Sequence, residues 1–366
     1  GTQSEENVVT LVFDDDGFSS DQSLEASSAE DVSEAVSDSV AFVDLEEWNR
    51  LPFEERKAAV LQGNFQPLGE FMKIFEGDSR TVKGEIVNSS MTVSPKFSEL
   101  ANSWGQDLSV AVEASTAQLN PEAVDLVWTE AFGLLALEQD DYQTAARAFA
   151  FLLEAMLEQG YGRDRIFELK PYIELLADHV SDFLPYELYE VQSGDSYWQI
   201  CKAFNSDDKG LTLNWGWIAD FNRKRGSSLR ASEKLKIPVS VLSLRAWRGE
   251  RLLVFYADGM PIRIYEASMG LKTEPTPLGK FTLAICEKNP VYYKQGASPV
   301  PYGNPDNPLG ERWLGFAEDT QYGIHGTNSE ETIGSYESGG CLRLHNSDVI
   351  ELFDMVKSGV AVEILP

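Results

Sequence analysis

The 366-residue chain holds three histidines. One of them, His325, opens His325-Gly326-Thr327, and sixteen residues on a cysteine stands behind two glycines in Ser338-Gly339-Gly340-Cys341. A thiolate is a strong nucleophile toward an acyl carbon, and a nearby imidazole can take its proton. Glycines ahead of a nucleophile let a substrate come close and leave main-chain N–H groups free. Those of Gly340 and Cys341, with Gly339 as a third, suit a developing oxyanion. Arg343 lies two residues beyond Cys341 and shares its face on an extended segment. Its guanidinium can grip a carboxylate with both arms, which suits an anionic peptide. Plainer readings exist. A lone cysteine is commonly a small buried hydrophobe, and Arg343 could bridge a carboxylate of the fold. A zinc site from His325, Cys341 and His345 lacks any familiar ligand spacing. Cys201 and Cys286 sit among apolar neighbours and read as packing, and no spacing supports a bond between them. His345 reads as a surface residue and His179 as structural.

These groups need elements to hold them. After the cysteine, Asp348 and Glu351 form a capping-box pattern. Val349, Leu352, Phe353 and Val356 then give a helix one apolar side, and Gly359 ends it. Residues 251–366 are strand-rich, with alternating or continuous apolar runs such as Leu252-Leu253-Val254-Phe255-Tyr256 and Ile262-Arg263-Ile264-Tyr265 between Gly and Pro. Residues 239–250 join this region to a compact mixed segment, 187–238. There a strand ends in the Gly194-Asp195 turn, and Asp195 or Ser196 caps a helix over Tyr197–Phe204. That helix offers Trp198, Ile200 or Cys201, and Phe204 as its apolar side. A second helix carries Trp217, Ile218 and Phe221, and Leu235-Lys236-Ile237-Pro238 closes the segment as a strand. Residues 44–186 have helical periodicity, with one helix opening at Pro121, another near Asp141 and a third over Tyr172–Phe183. One imperfect hairpin there has tetratricopeptide character, but a single copy is better read as ordinary helix packing.

Lys+Arg minus Asp+Glu is 30 − 59 = −29. A surface this acidic repels phosphate backbones and anionic headgroups, so a nucleic-acid partner is excluded as a first reading. The first fifty residues hold 14 acidic residues and one basic residue, Arg50. Residues 1–43 therefore read as a solvated, partly disordered arm, with strand character only at Val8–Phe13. The chain opens on Gly1, which reads as a mark of processing after a removed signal peptide. No apolar run approaches the roughly 18 residues of a membrane span.

The block His325-Gly326-Thr327…Ser338-Gly339-Gly340-Cys341-Leu342-Arg343-Leu344…Asn346…Asp348 resembles the active-site signature of the YkuD-like L,D-transpeptidases. Thr276-Pro277-Leu278-Gly279-Lys280-Phe281 and Asn307–Trp313 support the likeness, which covers residues 251–366. It implies a β-rich sandwich and a cysteine enzyme that needs no cofactor. In such an enzyme Cys341 attacks the third-residue carbonyl of a peptidoglycan stem tetrapeptide, D-alanine leaves, and an acceptor amine resolves the thioester. Cys341 is then nucleophile and His325 base, Gly340 and Cys341 supply oxyanion donors, and Arg343, Ser338, Gly326 and Thr327 bind substrate. Many members carry histidine where this chain has Gly339. Residues 187–238 are similar to a LysM domain through Tyr189, Val191, Gly194-Asp195-Ser196, Ile200, Phe204, Asn222, Leu229, Leu235, Ile237 and Pro238. That likeness implies an α+β module of βααβ order binding N-acetylglucosamine-containing glycan strands through Gly194, Asp195, Ser196, Leu229 and Arg230. A spacer of the same fold is its alternative.

The expectation is thus a multidomain enzyme of the bacterial cell envelope, acting outside the cytoplasm. It comprises an acidic arm (1–43), an α-helical domain (44–186), a LysM module (187–238) and an L,D-transpeptidase domain (251–366). Its rivals are an L,D-carboxypeptidase or endopeptidase, with water as acceptor, and a non-catalytic wall-binding scaffold. The acceptor stays open between a stem amine, a protein lysine and water.

Overall fold

The computed structural model describes residues 140–366, except 207–209, 294–295 and 297, together with Glu55 and isolated helical positions between 126 and 137. The arm at 1–43, the strand-like Val8–Phe13 and the helix start at Pro121 lie outside the described residues. The chain divides into two compact units, residues 1–152 and 153–366. In the first, Asp141 accepts a hydrogen bond from the Thr144 N–H at 3.1 Å and so caps helix α1 (Tyr142–Glu158), as its position in the sequence predicts.

The second unit opens with α2 (Arg163–Phe167) and α3 (Lys170–Ala177), and α3 lies against the central sheet. Residues 153–184, expected in a separate helical domain, thus belong to the same unit as the strands that follow.

Next comes a βααβ module: β1 (Tyr186–Glu190), α4 (Tyr197–Asn205), α5 (Trp215–Phe221) and β2 (Lys234–Pro238). Strand β1 pairs antiparallel with β2, Tyr189 opposite Leu235. Ser196 makes a full capping box with Gln199 at the start of α4. Asn205 closes the long α4–α5 connection by bonding both main-chain groups of Leu213, at 2.9 and 2.7 Å. One face assignment changes. Tyr197, Ile200 and Cys201 point into the core, whereas Trp198 is 68% exposed. The spacing 197, 200, 201 is a helix stripe, and residue 198 falls outside it.

The larger sheet has nine strands in the order β10-β8-β7-β6-β11-β3-β4-β5-β9. These are β3 (Leu242–Trp247), β4 (Leu252–Ala257), β5 (Met260–Gly270), β6 (Gly279–Lys288), β7 (Arg312–Phe316), β8 (Gly323–His325), β9 (Tyr336–Ser338), β10 (Leu342–Leu344) and β11 (Ala361–Leu365). The sheet begins at Leu242, so most of the expected connector 239–250 is strand, paired with β4 and β11. All six residues of β4 are buried, as its continuous apolar run predicts. Strand β10 also pairs with β5, through Arg343 opposite Ser268 and Leu344 opposite Ala267. That pairing bends the sheet round into a mainly-β barrel, in keeping with the β-rich sandwich that the resemblance implies.

Helix α6 (Asn346–Met355) packs Val349, Leu352 and Phe353 into the barrel and its surroundings. It starts two residues before the expected capping box. Glu351 is engaged elsewhere, with Arg263 and Tyr265. No helix among the described residues is long and apolar enough to cross a membrane.

Candidate active site

Strands β8 and β10 run parallel and side by side, with Ile324 opposite Leu342 and His325 opposite Arg343. In-register partners share a face, so His325 and Arg343 project together. Cys341, two residues before Arg343, joins them. Continuing the register sets Cys341 beside Gly323. A two-residue offset and one strand spacing put the His325 and Cys341 Cα atoms about 8 Å apart, within the joint reach of an imidazole and a thiol.

His325 is 3% exposed. Its Nδ1 lies 2.7 Å from the Gly326 carbonyl. A carbonyl only accepts, so Nδ1 carries the proton and the Nε2 lone pair is free. The ring lies against Trp313, the in-register residue of β7, at 5.7 Å between centroids. Burial, then the positive charge of Arg343, push the imidazole down to about 4, and its bond to Gly326 opposes them. The Cys341 thiol faces the Gln321 carbonyl at 3.6 Å. Burial pushes this thiol up to about 11, against the opposing pull of the Gly323 N–H and Arg343. At neutral pH the thiol and the imidazole are therefore both uncharged.

Arg343 is the unusual group. Its Nε is buried without a hydrogen-bond partner among the described residues. A guanidinium in that condition is poised for an anion from outside.

The cysteine loop is held from beneath. Ser338 is 1% exposed. Its hydroxyl donates to the Cys341 carbonyl at 2.6 Å and accepts the Gly340 N–H at 3.2 Å. The Ser338 hydroxyl is engaged within the loop and shapes it from inside. The Gly340 N–H is engaged by that hydroxyl, which leaves the Cys341 N–H as the expected oxyanion donor. Gly340 has φ +108°, and a Cβ there would stand 2.3 Å from the Tyr322 ring, so both its conformation and its space demand glycine.

Gly326 and Thr327 likewise serve the scaffold. Thr327 is 2% exposed and its hydroxyl accepts the Ser329 N–H at 2.9 Å. A Cβ on Gly326 would meet Asn346 Oδ1 at 2.1 Å. Asn346 is the residue that sequence reasoning left without a role. Its Oδ1 accepts from the Glu311 and Thr327 N–H groups at 3.2 and 3.1 Å, and its Nδ2 donates to the Thr327 carbonyl and Glu330 at 2.7 Å each. It ties the histidine loop to the first turn of α6. The only sequence signal was its place in the motif, directly before a helix. His345, read as a surface residue, is paired with the same Glu330.

In the βααβ module, Asp195 accepts from Tyr189 Oη at 2.7 Å and from the Gln192 N–H at 2.8 Å. Ser196 is occupied by its capping box. Gly194 and Arg230 are exposed and Leu229 is half-buried. Among the described residues no group of three His, Cys, Asp or Glu side chains is placed to hold a metal ion.

A barrel carrying a histidine on one strand and a cysteine directly before the parallel strand beside it is matched by comparison with known families. The L,D-transpeptidase catalytic domain, YkuD, matches residues 247–364. YkuD of Bacillus licheniformis, assigned to the L,D-transpeptidases, is 37% identical over 184 residues, which is 49% of this chain and 99% of that protein. YqjB of Bacillus subtilis, of the same assignment, is 43% identical over 103 residues, 27% of this chain and 57% of that protein. The solved catalytic domain of an E. faecium L,D-transpeptidase aligns over 34% of this chain and 96% of its own length, at 22% identity and a TM-score of 0.29. The chain belongs to the L,D-transpeptidase family.

Proposed function

We propose that this chain is a peptidoglycan L,D-transpeptidase of the bacterial envelope, acting outside the cytoplasm with Cys341 as its nucleophile. The observation that carries the reading is the pairing of His325 with Arg343 on adjacent parallel strands, Cys341 two residues away. The Cys341 sulfur attacks the carbonyl of the third residue of a stem tetrapeptide while its proton passes to His325 Nε2. The Cys341 N–H donates to the tetrahedral oxyanion. The C–N bond to the terminal D-alanine breaks and the imidazolium returns its proton to the leaving amine. An acceptor amine then attacks the thioester, frees the thiol and forms the cross-link. Arg343 holds a substrate carboxylate, the role its buried and unpartnered Nε supports.

The βααβ module supports a LysM reading, in which the exposed Gly194 and Arg230 with Leu229 flank a glycan groove. Asp195 and Ser196 then shape that groove through their turn and cap.

The test is intact-mass analysis of the full chain with a carbapenem, alongside turnover of a stem tetrapeptide with and without an acceptor amine. One covalent adduct, absent in Cys341→Ala, and a cross-linked dimer are expected. Tripeptide without dimer would redirect the reading to an L,D-carboxypeptidase, and an unmodified wild-type mass to a non-catalytic scaffold.

A further inference from the structure

Away from Cys341, between the βααβ module and the catalytic barrel, lies an open groove of about 970 Å³. Its walls include Tyr197, Trp198, Lys202 and Trp215 from the module and Lys288 and Lys357 from the barrel side. Three features set it apart. In a chain of net charge −29, three ammonium groups converge on one groove. Among the described residues, the carboxylate paired with one of them is Asp354, 3.8 Å from Lys288. Trp198 is 68% exposed, with Lys202 over its ring at 5.0 Å, so an aromatic face and a cation are presented together. Tyr197 is 4% exposed, and its hydroxyl has no hydrogen-bond partner among the described residues. A large exposed aromatic beside a cationic rim suits a ligand better than water alone, and the Tyr197 hydroxyl, buried beneath them, lacks the partner that burial ordinarily requires.

We infer that this groove binds an acidic polysaccharide, with pyranose faces stacked on Trp198 and Trp215 and the polymer's anionic groups held by Lys202, Lys288 and Lys357. Lysine ammoniums are point charges that accept either a carboxylate or a phosphodiester, so the chemistry required is a sugar chain carrying either group. A nucleic acid also offers flat rings and anions, but its charge density is opposed by the field of the whole chain. The groove does not include Cys341 but takes in Ser196 of the 194–196 loop, so the inference adjoins the glycan reading of the module and rests in part on it, and neutral chitotetraose is the probe that tells the two apart.

The experiment is titration calorimetry on the full chain at low and high salt. The probes are tetragalacturonate, a phosphodiester-linked oligomannose, neutral chitotetraose and a dT oligonucleotide. At least one acidic oligosaccharide is expected to bind, more weakly as salt rises. Each Lys→Gln change at 202, 288 and 357 should weaken it about threefold, and the three together about thirtyfold, the scale of exposed charge pairs. Trp198→Ala should weaken it too. Acylation by a carbapenem should stay unchanged in the lysine and Trp198 variants, which also reports that they fold. Which acidic probe binds identifies the anionic group. The inference is overturned if neither acidic oligosaccharide binds, if the triple lysine variant binds it undiminished, if chitotetraose loses as much affinity in that variant, or if the dT oligonucleotide binds more tightly with the same lysine dependence.

Discussion

His325 and Arg343 stand opposite one another on parallel strands, and the cation lowers the proton affinity of the imidazole beside it. The same cation lowers that of the Cys341 thiol. Arg343 therefore favours the two forms the reaction uses, a neutral base and an incipient thiolate. In the proposed mechanism acylation needs His325 unprotonated, and burial with Arg343 places that titration at about 4. The acylation rate should be flat from about pH 6 to 9 and fall to half near pH 4. Arg343→Gln should move that limb to higher pH, though still below the ordinary value near 6.5, because burial is the larger cause. Stopped-flow acylation by a carbapenem measures it. A wild-type half-rate near pH 6.5 would remove the proposed environment of His325.

The same imidazole makes stability depend on pH. The unfolded chain takes up its proton near 6.5, and the folded chain does so only near 4. Between these values the unfolded state binds more protons, so this contribution is fully present above about pH 6.5 and is lost as pH falls toward 4. Urea unfolding across that window should show a falling midpoint, with a shallower fall in His325→Asn. An equal fall in both proteins would assign the acid sensitivity to other groups.

Asn346 makes four hydrogen bonds that join the histidine loop to α6. Asn346→Ala leaves main-chain groups of Glu311 and Thr327 unpaired, at a cost of about 2–4 kcal/mol. It should also slow acylation, because the loop that fixes the His325 tautomer loses its anchor. Asn346→Asp keeps the two acceptor contacts but sets a carboxylate against Glu330, so it should recover little. Urea midpoints and acylation rates together test this. Wild-type rates in Asn346→Ala would leave the residue a purely structural part.

Gly339 stands where many relatives of this motif carry histidine. A Cβ added there meets only Glu274 Oε2, at 3.7 Å. In contrast with Gly340, the position has room. Gly339→His should therefore fold with stability within about 0.5 kcal/mol of wild type. The new imidazole has the Glu274 carboxylate as its nearest partner. Acylation should change by less than about tenfold. Loss of folding would mean that the loop between Ser338 and Cys341 requires glycine twice.

Much of this site was legible in the sequence because the motif encodes main-chain geometry. Cys341, His325 and Arg343 follow from residue type and an alternation of two, and the barrel supplies that alternation through β8 and β10. What was not legible came from distant chain segments. The resemblance implies substrate contacts at Ser338, Gly326 and Thr327, and their side chains or spaces are engaged by Cys341, Asn346 and Ser329. The closing pair β5–β10 joins strands some seventy residues apart, a contact no local pattern carries. Trp198 was read as core because aromatics usually are, although its place in the helix stripe already set it outside.

The βααβ module reads in the sequence as a tethered neighbour, but its helix α5 is built into the catalytic unit. Arg263 of β5 bonds both Asp220 carboxylate oxygens on α5 at 3.1 Å, and Glu351 on α6 at 3.0 Å. Trp217 meets Phe255 of β4 edge to face, with centroids 5.5 Å apart. Asn214 donates to the carbonyls of Phe353 and Val356 at 3.1 and 2.7 Å. Gly216 lets the main chain pass close to the Asp354 carbonyl, 2.4 Å from where a Cβ would be. These contacts join one continuous apolar core, so module and barrel should unfold together. Hydrogen exchange read peptide by peptide in rising urea should show β2 and β4 losing protection at one concentration. Asp220→Asn weakens the bond to a largely buried Arg263. It should cost about 2 kcal/mol of stability and so lower that shared midpoint, a moderate value because both carboxylates are partly solvated. Protection lost in β2 well before β4, in either protein, would mean the module is an independent domain on a hinge.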